Sequence, residues 1–294
     1  MDIVFALIAS FGHAFDYFFV RKGLVHTPAP MAAAFITLTI NFVFFVILSV
    51  IFLPGHLLQW DLIYLFVIAG LLAPAFGRAL SYKGLETLGM SIASPITNTD
   101  SFFAVSMALI FLDEPLTLFL VIGIMSVLTG IVLLGFETGQ NRNANAHRTF
   151  KLRYLFYPLA AACLFGVSVF LRKLGLTVVN SPLLGAVVTS GTSWCVFALF
   201  TMKRGHMKGV FEVKRRSLVH FFIAGGFNCM TWLALFQALS IGRVSIVSPI
   251  AGCYSLITLL LSGAFLRDAE RITAIIVFAT FLIVGGVVTL SLAR

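Results

Sequence analysis

Charged side chains inside long apolar stretches are the features of this sequence most capable of chemistry. Asp100 lies near the middle of an apolar stretch over residues 89–112, and Arg78 lies towards the end of another over 62–83. A charged group at the centre of a bilayer costs about 2.5–3.5 kcal/mol, so we expect Asp100 to be functional. Arg78 could extend to the lipid headgroups, or it could point inward to pair with Asp100 or to bind a substrate carboxylate.

A second pair of titratable residues lies in the first apolar stretch. His13 and Asp16 are three residues apart, so they share one face of a helix and can meet there. Such a pair inside a membrane can exchange protons near neutral pH. We therefore predict His13, Asp16 and Asp100 as candidates for proton coupling, with a structural hydrogen bond between helices as the alternative.

Further polar and aromatic residues share helix faces with these charges. Tyr82 follows Arg78 by four residues, and Asn228 and Trp232 have the same spacing in a later apolar stretch. Small polar residues in 89–112 also form one face, for which the alternative is packing between helices. The predicted substrate-binding residues are Arg78, Tyr82, Ser94, Thr97, Asn98, Asp100, Asn228, Trp232, Ser248 and Tyr254.

The elements that must position these side chains are membrane helices. The chain of 294 residues is 60% hydrophobic and 11% charged, whereas soluble domains have about 25% charged residues. A spanning helix needs about 20 apolar residues, and continuous rather than alternating apolar stretches favour helices over a barrel. We number the ten stretches as segments 1 to 10; they cover 3–21, 31–53, 62–83, 89–112, 117–136, 152–172, 181–202, 217–239, 244–266 and 271–292.

A repeated motif indicates that the chain is a duplication. Residues 91–96 read Ser-Ile-Ala-Ser-Pro-Ile, and residues 245–250 read Ser-Ile-Val-Ser-Pro-Ile, at an offset of 245 − 91 = 154. Each half then holds five segments, and an odd number places the second half upside down in the membrane. The predicted fold is an all-α integral membrane protein with ten transmembrane helices, arranged as two inverted five-helix repeats around a central cavity.

Charge and cysteine placement exclude several other classes of protein. The 20 lysines and arginines concentrate in loops on one side of the predicted helices, which places residues 203–216 in the cytoplasm and both termini outside. Basic residues in such loops set topology, so we expect no nucleic-acid partner. The four cysteines lie in apolar stretches without metal-binding spacing, and no nucleotide-binding loop is present. We predict no metal and no cofactor.

The order of these motifs resembles EamA-type members of the drug/metabolite transporter superfamily. The likeness rests on the paired Ser-Pro-Ile motifs, on Glu114-Pro-Leu-Thr and Glu270-Arg-Ile-Thr opening segments 5 and 10, and on Gly130 to Gly135 near the end of segment 5. Phe11-Gly12-His13 stands where many relatives have a Trp-Gly pair. The resemblance implies EamA-like repeats over 1–136 and 152–294, joined by a linker at 137–151. It also implies secondary transport through a cavity lined by segments 1, 3, 4, 6, 8 and 9.

The predicted function is therefore a secondary transporter, working by alternating access as an exporter or exchanger of a small polar or amphipathic metabolite. The opposite charges of Arg78 and Asp100 favour an amino acid or a similar zwitterion. The alternatives are a membrane-embedded enzyme acting on lipid headgroups and a passive channel or scaffold. The six histidines are scattered, which argues against the enzyme. We place the protein in the inner (plasma) membrane with multiple passes, as a monomer or homodimer that contacts lipid and a small-molecule substrate.

Overall fold

Helices account for all regular structure in the residues that the computed structural model describes, which are 1–53, 60–111, 118–140, 152–203, 213–266 and 272–291. Helices satisfy their own backbone hydrogen bonds, which is required where no water is present. A π-helical stretch covers Leu71–Gly77, and a 3₁₀ turn covers Leu152–Leu155. The helices are α1 (Asp2–His26), α2 (Pro30–Phe52), α3 (Trp60–Gly70), α4 (Arg78–Leu88), α5 (Met90–Thr97), α6 (Asp100–Phe111), α7 (Leu118–Gln140), α8 (Phe156–Val178), α9 (Pro182–Lys203), α10 (Arg215–Ile241), α11 (Val244–Gly252), α12 (Tyr254–Phe265) and α13 (Ala274–Ser291).

Within the described residues, seven helical stretches are long and apolar enough to cross a membrane by length and composition. The prediction of a multi-pass membrane protein agrees with them. Two shorter apolar helices, Val121–Leu134 and Ala274–Thr289, coincide with segments 5 and 10. The seven long stretches are Asp2–His26, Pro30–Phe52, Ile63–Leu88, Arg153–Val178, Pro182–Leu199, Arg215–Ile241 and Ile246–Phe265.

Segments 4 and 9 are not single straight helices, which corrects the sequence prediction. A turn at residues 98 and 99 separates α5 from α6, and a turn at Cys253 separates α11 from α12. Each break follows an internal proline, Pro95 or Pro249, which cannot donate to the preceding turn of helix. Asp100 therefore begins a new helix instead of occupying the middle of a continuous one.

A third proline is accommodated by hydroxyl groups from neighbouring helices. Pro74 lies inside the π-helical stretch and lacks the N–H that would pair with the carbonyl of Gly70. Ser193 of α9 donates to that carbonyl oxygen over 2.7 Å. Ser168 of α8 likewise donates to the carbonyl of Ala69 over 2.9 Å. These bonds keep the backbone paired where the helix widens, and they anchor this stretch to α8 and α9.

Two close helix pairs frame the molecule. α1 packs antiparallel along α10, where a methyl group on Gly12 would lie 2.4 Å from Oγ1 of Thr231 and one on Gly23 would lie 2.3 Å from the ring of Phe221. α7 packs antiparallel on α13, and Ser126 donates to the carbonyl of Leu282 over 2.8 Å. Small residues permit these close approaches, as they do in other membrane helix pairs.

Some predicted boundaries shift. α7 continues to Gln140, so the first residues of the predicted linker 137–151 are helical, and α10 begins at Arg215 inside the predicted loop 203–216. Between α4 and α5, Gly89 adopts a φ of 84°, a conformation that favours glycine and allows the chain to turn sharply. Glu114, Glu270 and residues 141–151 lie outside the described residues.

Candidate functional site

The two broken helices cross at their breaks, and this crossing forms one wall of the site. A methyl group on Gly252 would overlap Oδ1 of Asn98, so the glycine allows this amide to lie against the backbone of α11. The Asn98 amide donates to Oγ of Ser255 over 3.3 Å, and the hydroxyls of Ser94 and Thr258 are hydrogen-bonded at 2.6 Å. Hydroxyl and amide groups thus hold α5 against α12 in the interior of the protein.

Next to this crossing, charged and aromatic side chains line a cavity. It is bounded by α1, α4, α6, α8, α10, α11 and α12, so both halves of the chain contribute to it. Its lining contains more ionisable and aromatic groups than a packing void would, as expected for a ligand site. The lining residues are His13, Asp16, Tyr17, Arg78, Ser81, Tyr82, Asp100, Ser101, Phe165, Val169, Arg172, Asn228, Thr231, Trp232, Leu235, Ser248, Ala251, Gly252 and Tyr254.

A hydrogen-bonded network neutralises two of the buried charges. Asn228 accepts a bond from Nη2 of Arg78 over 2.9 Å and donates one to Oδ2 of Asp16 over 2.7 Å. The Tyr82 hydroxyl donates to the other Asp16 oxygen over 3.1 Å. Arg78 also reaches Oγ1 of Thr37 at 3.5 Å. Because each charge has polar partners, Arg78 and Asp16 form a connected unit that spans α1, α4 and α10.

Three aromatic rings, two of them on α1, pack beside this network. The His13 ring stacks on Tyr254 with 4.3 Å between ring centres, and it meets the edge of Tyr17 at 4.7 Å. The Tyr17 hydroxyl is hydrogen-bonded to Ser81 at 2.6 Å. Within the described residues, His13 makes ring contacts and no hydrogen bond, while both Asp16 oxygens bond elsewhere. The expected direct meeting of His13 with Asp16 is therefore wrong, because Asn228 and Tyr82 occupy the carboxylate.

Two charges in the cavity lie outside this network. The guanidinium carbon of Arg172 lies 4.0 Å from the centre of the Trp232 ring, a cation–π contact. Arg172 is only 1% exposed, yet its Nε and Nη2 atoms have no hydrogen-bond partner among the described residues. Asp100 is half-buried, and its carboxylate accepts one long bond, 3.5 Å from Oγ of Ser101.

Two basic residues bind carbonyl groups near the ends of α4 and α10. Arg21 donates to the carbonyl of Leu85 over 2.9 Å, near the end of α4. Lys173 donates to the carbonyls of Leu239 and Gly242 over 2.8 and 2.7 Å, at the end of α10. Carbonyl groups at a helix end carry partial negative charge, so cations stabilise them.

Comparison with known proteins now identifies the chain. Residues 1–136 match the family model described as the EamA-like transporter family. The first 136 residues belong to the EamA-like transporter family, which supports membership of the drug/metabolite transporter superfamily. A solved crystal structure is also similar, with a TM-score of 0.65 over 98% of this chain and 97% of its own, at 16% sequence identity. That likeness concerns the fold alone. No curated protein matches the chain.

Membership of this superfamily decides between the functional classes that the sequence left open. EamA-like proteins are membrane transporters and not enzymes, so a lipid-modifying enzyme is not the function of this chain. Among the residues that the structure describes, no group of three or more His, Cys, Asp or Glu side chains could hold a metal ion. The lipid bilayer and a small-molecule substrate are the partners of such a transporter.

Most of the predicted site residues of this EamA-like transporter line the cavity. Those that do are His13, Asp16, Arg78, Tyr82, Asp100, Asn228, Trp232, Ser248 and Tyr254. Ser94, Thr97 and Asn98 do not, because the break in segment 4 turns them into the contact with α12 or towards their own helix. Arg78 is 3% exposed and hydrogen-bonded inside the protein, so it does not extend to the headgroups. The expected pairing of Arg78 with Asp100 is also wrong, because Asn228 couples Arg78 to Asp16.

Sequence reasoning missed two of the residues that matter most. Arg172 is not among the predicted site residues, because its position before Lys173, like that of Arg21 before Lys22, is typical of basic residues at a helix end. Tyr17 was not singled out at all. It lies four residues after His13, so a search of the helix face that carries His13 would have found it.

Proposed function

We propose that this protein is a secondary active transporter that carries a small polar or amphipathic metabolite through the central cavity. The observation that carries the proposal is a cavity between the two halves that holds buried charges of both signs. A scaffold would gain nothing from charges that cost several kcal/mol to bury unless they serve a substrate or an ion. An amino acid or similar zwitterion is the proposed substrate class, and export or exchange is the proposed mode.

The proposed mechanism is alternating access of two inverted five-helix repeats, 1–136 and 152–294, with ten spans in all. Its support comes from contacts between corresponding positions. Asn98 and Gly252, which meet at the crossing, differ by 252 − 98 = 154, the offset of the Ser-Pro-Ile motifs. These contacts are what a two-fold pseudosymmetry axis would produce.

A second set of contacts repeats between α7 and α13. A methyl group on Gly130 would lie 2.9 Å from the carbonyl oxygen of Ala279, and one on Gly286 would lie 2.9 Å from that of Gly123. The differences are 286 − 130 = 156 and 279 − 123 = 156, so one contact is the counterpart of the other. The α7–α13 pair would then be a symmetric support on which the other helices move.

The closing contacts of Arg21 and Lys173 suggest how the ends of the cavity are controlled. The two cations bind the carbonyls of Leu85 and Leu239, which also differ by 239 − 85 = 154. We propose that one contact breaks and the other holds as the cavity opens to each side in turn. We also propose that the protein lies in the inner (plasma) membrane and is a monomer or a homodimer.

Reconstitution into liposomes tests the function. Proteoliposomes loaded with each amino acid in turn, or with a panel of organic cations, should exchange labelled compound for unlabelled compound at saturable rates. An imposed proton gradient should drive accumulation. Protein-free liposomes and an Asp100→Asn, Arg172→Gln double variant are the controls. If no compound exchanges, or if flux rises without saturation as in a channel, the proposal fails.

A further inference from the structure

The cavity contains one cation and one anion that make no salt bridge within the described part of the chain. Arg78 and Asp16 are already joined through Asn228, so their charges cancel within the protein. Arg172 and Asp100 line the same cavity outside that network. The choice of ligand therefore depends on these two residues and not on Arg78.

Arg172 lines the cavity, whereas its neighbour Lys173 binds the carbonyl groups at the end of α10. In the first half, the arginine of the Arg21-Lys22 pair binds the carbonyl of Leu85. In the second half, Lys173 binds the corresponding carbonyl of Leu239 together with that of Gly242. This exchange of roles leaves Nε and Nη2 of Arg172 without a hydrogen-bond partner among the described residues, although the side chain is almost fully buried.

The positions of the unpartnered Arg172 atoms indicate which chemical group would bind them. Nε and Nη2 lie on the same edge of a guanidinium group, where their two N–H bonds run nearly parallel. Two parallel donors match the two oxygens of a carboxylate in a bidentate contact. The Trp232 ring at 4.0 Å covers one face of the guanidinium and fixes its plane, which leaves that edge available. A buried donor without a partner is costly, so a ligand that pairs with both donors gains affinity.

Asp100 supplies the complementary half of the site. Within the described residues its carboxylate accepts hydrogen bonds from Ser101 alone, so it retains capacity to accept hydrogen bonds from an ammonium group. Apolar side chains of Phe165, Val169 and Leu235 complete the lining beside these charges. A ligand with a carboxylate, an ammonium group and an apolar remainder would satisfy all three kinds of surface without adding net charge.

On the basis of the proposed transport function, we infer that Arg172 binds the carboxylate of a transported α-amino acid through its Nε–Nη2 edge, while Asp100 binds the ammonium group. Arg78 is then a structural residue of the α1–α4–α10 network. The side chain of the amino acid lies towards Trp232 and the apolar lining.

Fluorescence of Trp232 provides a direct binding assay. The full chain in detergent, with Trp60→Phe and Trp194→Phe, keeps Trp232 as its single tryptophan. Each proteinogenic amino acid except tryptophan is titrated to about 10 mM, well above the ~1 mM upper end of typical KM values. We expect at least one to change the fluorescence saturably. The best of them is then compared with its amine analogue, which lacks the carboxylate, and its acid analogue, which lacks the amine.

Substitution at Arg172 should separate the two ends of the ligand. Arg172→Lys keeps the charge but removes the fork, and Arg172→Gln removes both; each should weaken amino acid and acid-analogue binding about 10- to 100-fold. Binding of the amine analogue should change less than about 3-fold, which also shows that the variant is folded. Asp100→Asn should give the reverse pattern. Arg243→Lys, the same change at an exposed arginine outside the cavity, should leave all three affinities unchanged.

Several results would overturn the inference. These are no response to any amino acid, equal losses for amino acid and amine analogue in Arg172→Gln, or tighter Arg172-dependent binding of inorganic phosphate than of the amino acid. If proteoliposomes still exchange a compound in these cases, the transport function stands and only the assignment of Arg172 fails. If nothing is exchanged, the transport function itself fails.

Discussion

Asn228 donates its side-chain amide to Oδ2 of Asp16 over 2.7 Å, and this bond joins α10 to α1 at the centre of the protein. The same residue accepts from Arg78 over 2.9 Å and from the amide of Asn41 over 3.0 Å. One neutral side chain thus connects opposite charges that do not pair directly. Removing one partner of a buried network is costly because it leaves charged groups without hydrogen bonds.

The first prediction concerns the stability of this network. Asn228→Leu should lower the free energy of unfolding by about 3 kcal/mol, since it takes a partner from both Asp16 and Arg78. Asn41→Leu is the matched control, because Asn41 contacts the network only through Asn228 and should cost about 1 kcal/mol. Thermal unfolding of both variants in the same detergent measures the difference. Equal losses would show that Asn228 is not the central partner.

The second prediction concerns proton coupling. Asp16 has its charge balanced through Asn228 and Tyr82, whereas the hydrogen bonds that Asp100 accepts within the described residues come from Ser101 alone. A carboxylate with few fixed partners can gain and lose a proton with little rearrangement, so we expect Asp100 to carry the coupled proton.

Transport assays separate the two carboxylates. Asp100→Asn should abolish gradient-driven accumulation and its pH dependence in proteoliposomes, while exchange of substrate for substrate continues at a reduced affinity. Asp16→Asn should retain the pH dependence, although with lower protein stability. Accumulation with unchanged pH dependence in both variants would mean that protons couple through neither residue.

The third prediction concerns packing of α7 against α13. A methyl group on Gly286 would lie 2.9 Å from the carbonyl oxygen of Gly123, whereas one on the adjacent Gly285 would meet nothing within 4 Å. Gly286→Ala should therefore destabilise the protein by about 1–3 kcal/mol through overpacking. Gly285→Ala should be neutral or stabilise it by up to about 1 kcal/mol, because alanine favours helix. Thermal unfolding that ranks the variants in the opposite order would rule out this close contact.

The fourth prediction concerns orientation in the membrane. Basic residues cluster on one side of the predicted helices, so Lys214 should face the cytoplasm and Asn180 the outside. Both residues are exposed. With the four native cysteines replaced, Asn180→Cys in intact cells should react with an impermeant thiol reagent, and Lys214→Cys should react only after the membrane is opened. The converse labelling would invert the topology.

The polar face of segment 4 shows the limit of helical periodicity. Ser94, Thr97, Asn98 and Ser101 have the spacing of one face of a continuous helix, but the turn after Pro95 rotates the later residues relative to the earlier ones. Ser101 consequently lines the cavity while Ser94 bonds to Thr258. Periodicity identifies a polar face only as far as the helix is unbroken.

The helical membrane class and the apolar segments could be predicted from the sequence, because a membrane helix requires a long run of apolar residues. Nearly all the buried charges could be predicted as well, because a charged residue within such a run is rare and costly. Only the tertiary structure decided how those charges are partnered. Asn228 comes between Arg78 and Asp16, and Lys173 takes the helix-end carbonyls and leaves Arg172 facing Trp232. Such partnerships depend on distances of about 3 Å between helices far apart in the chain, and spacing within one helix carries no information about them.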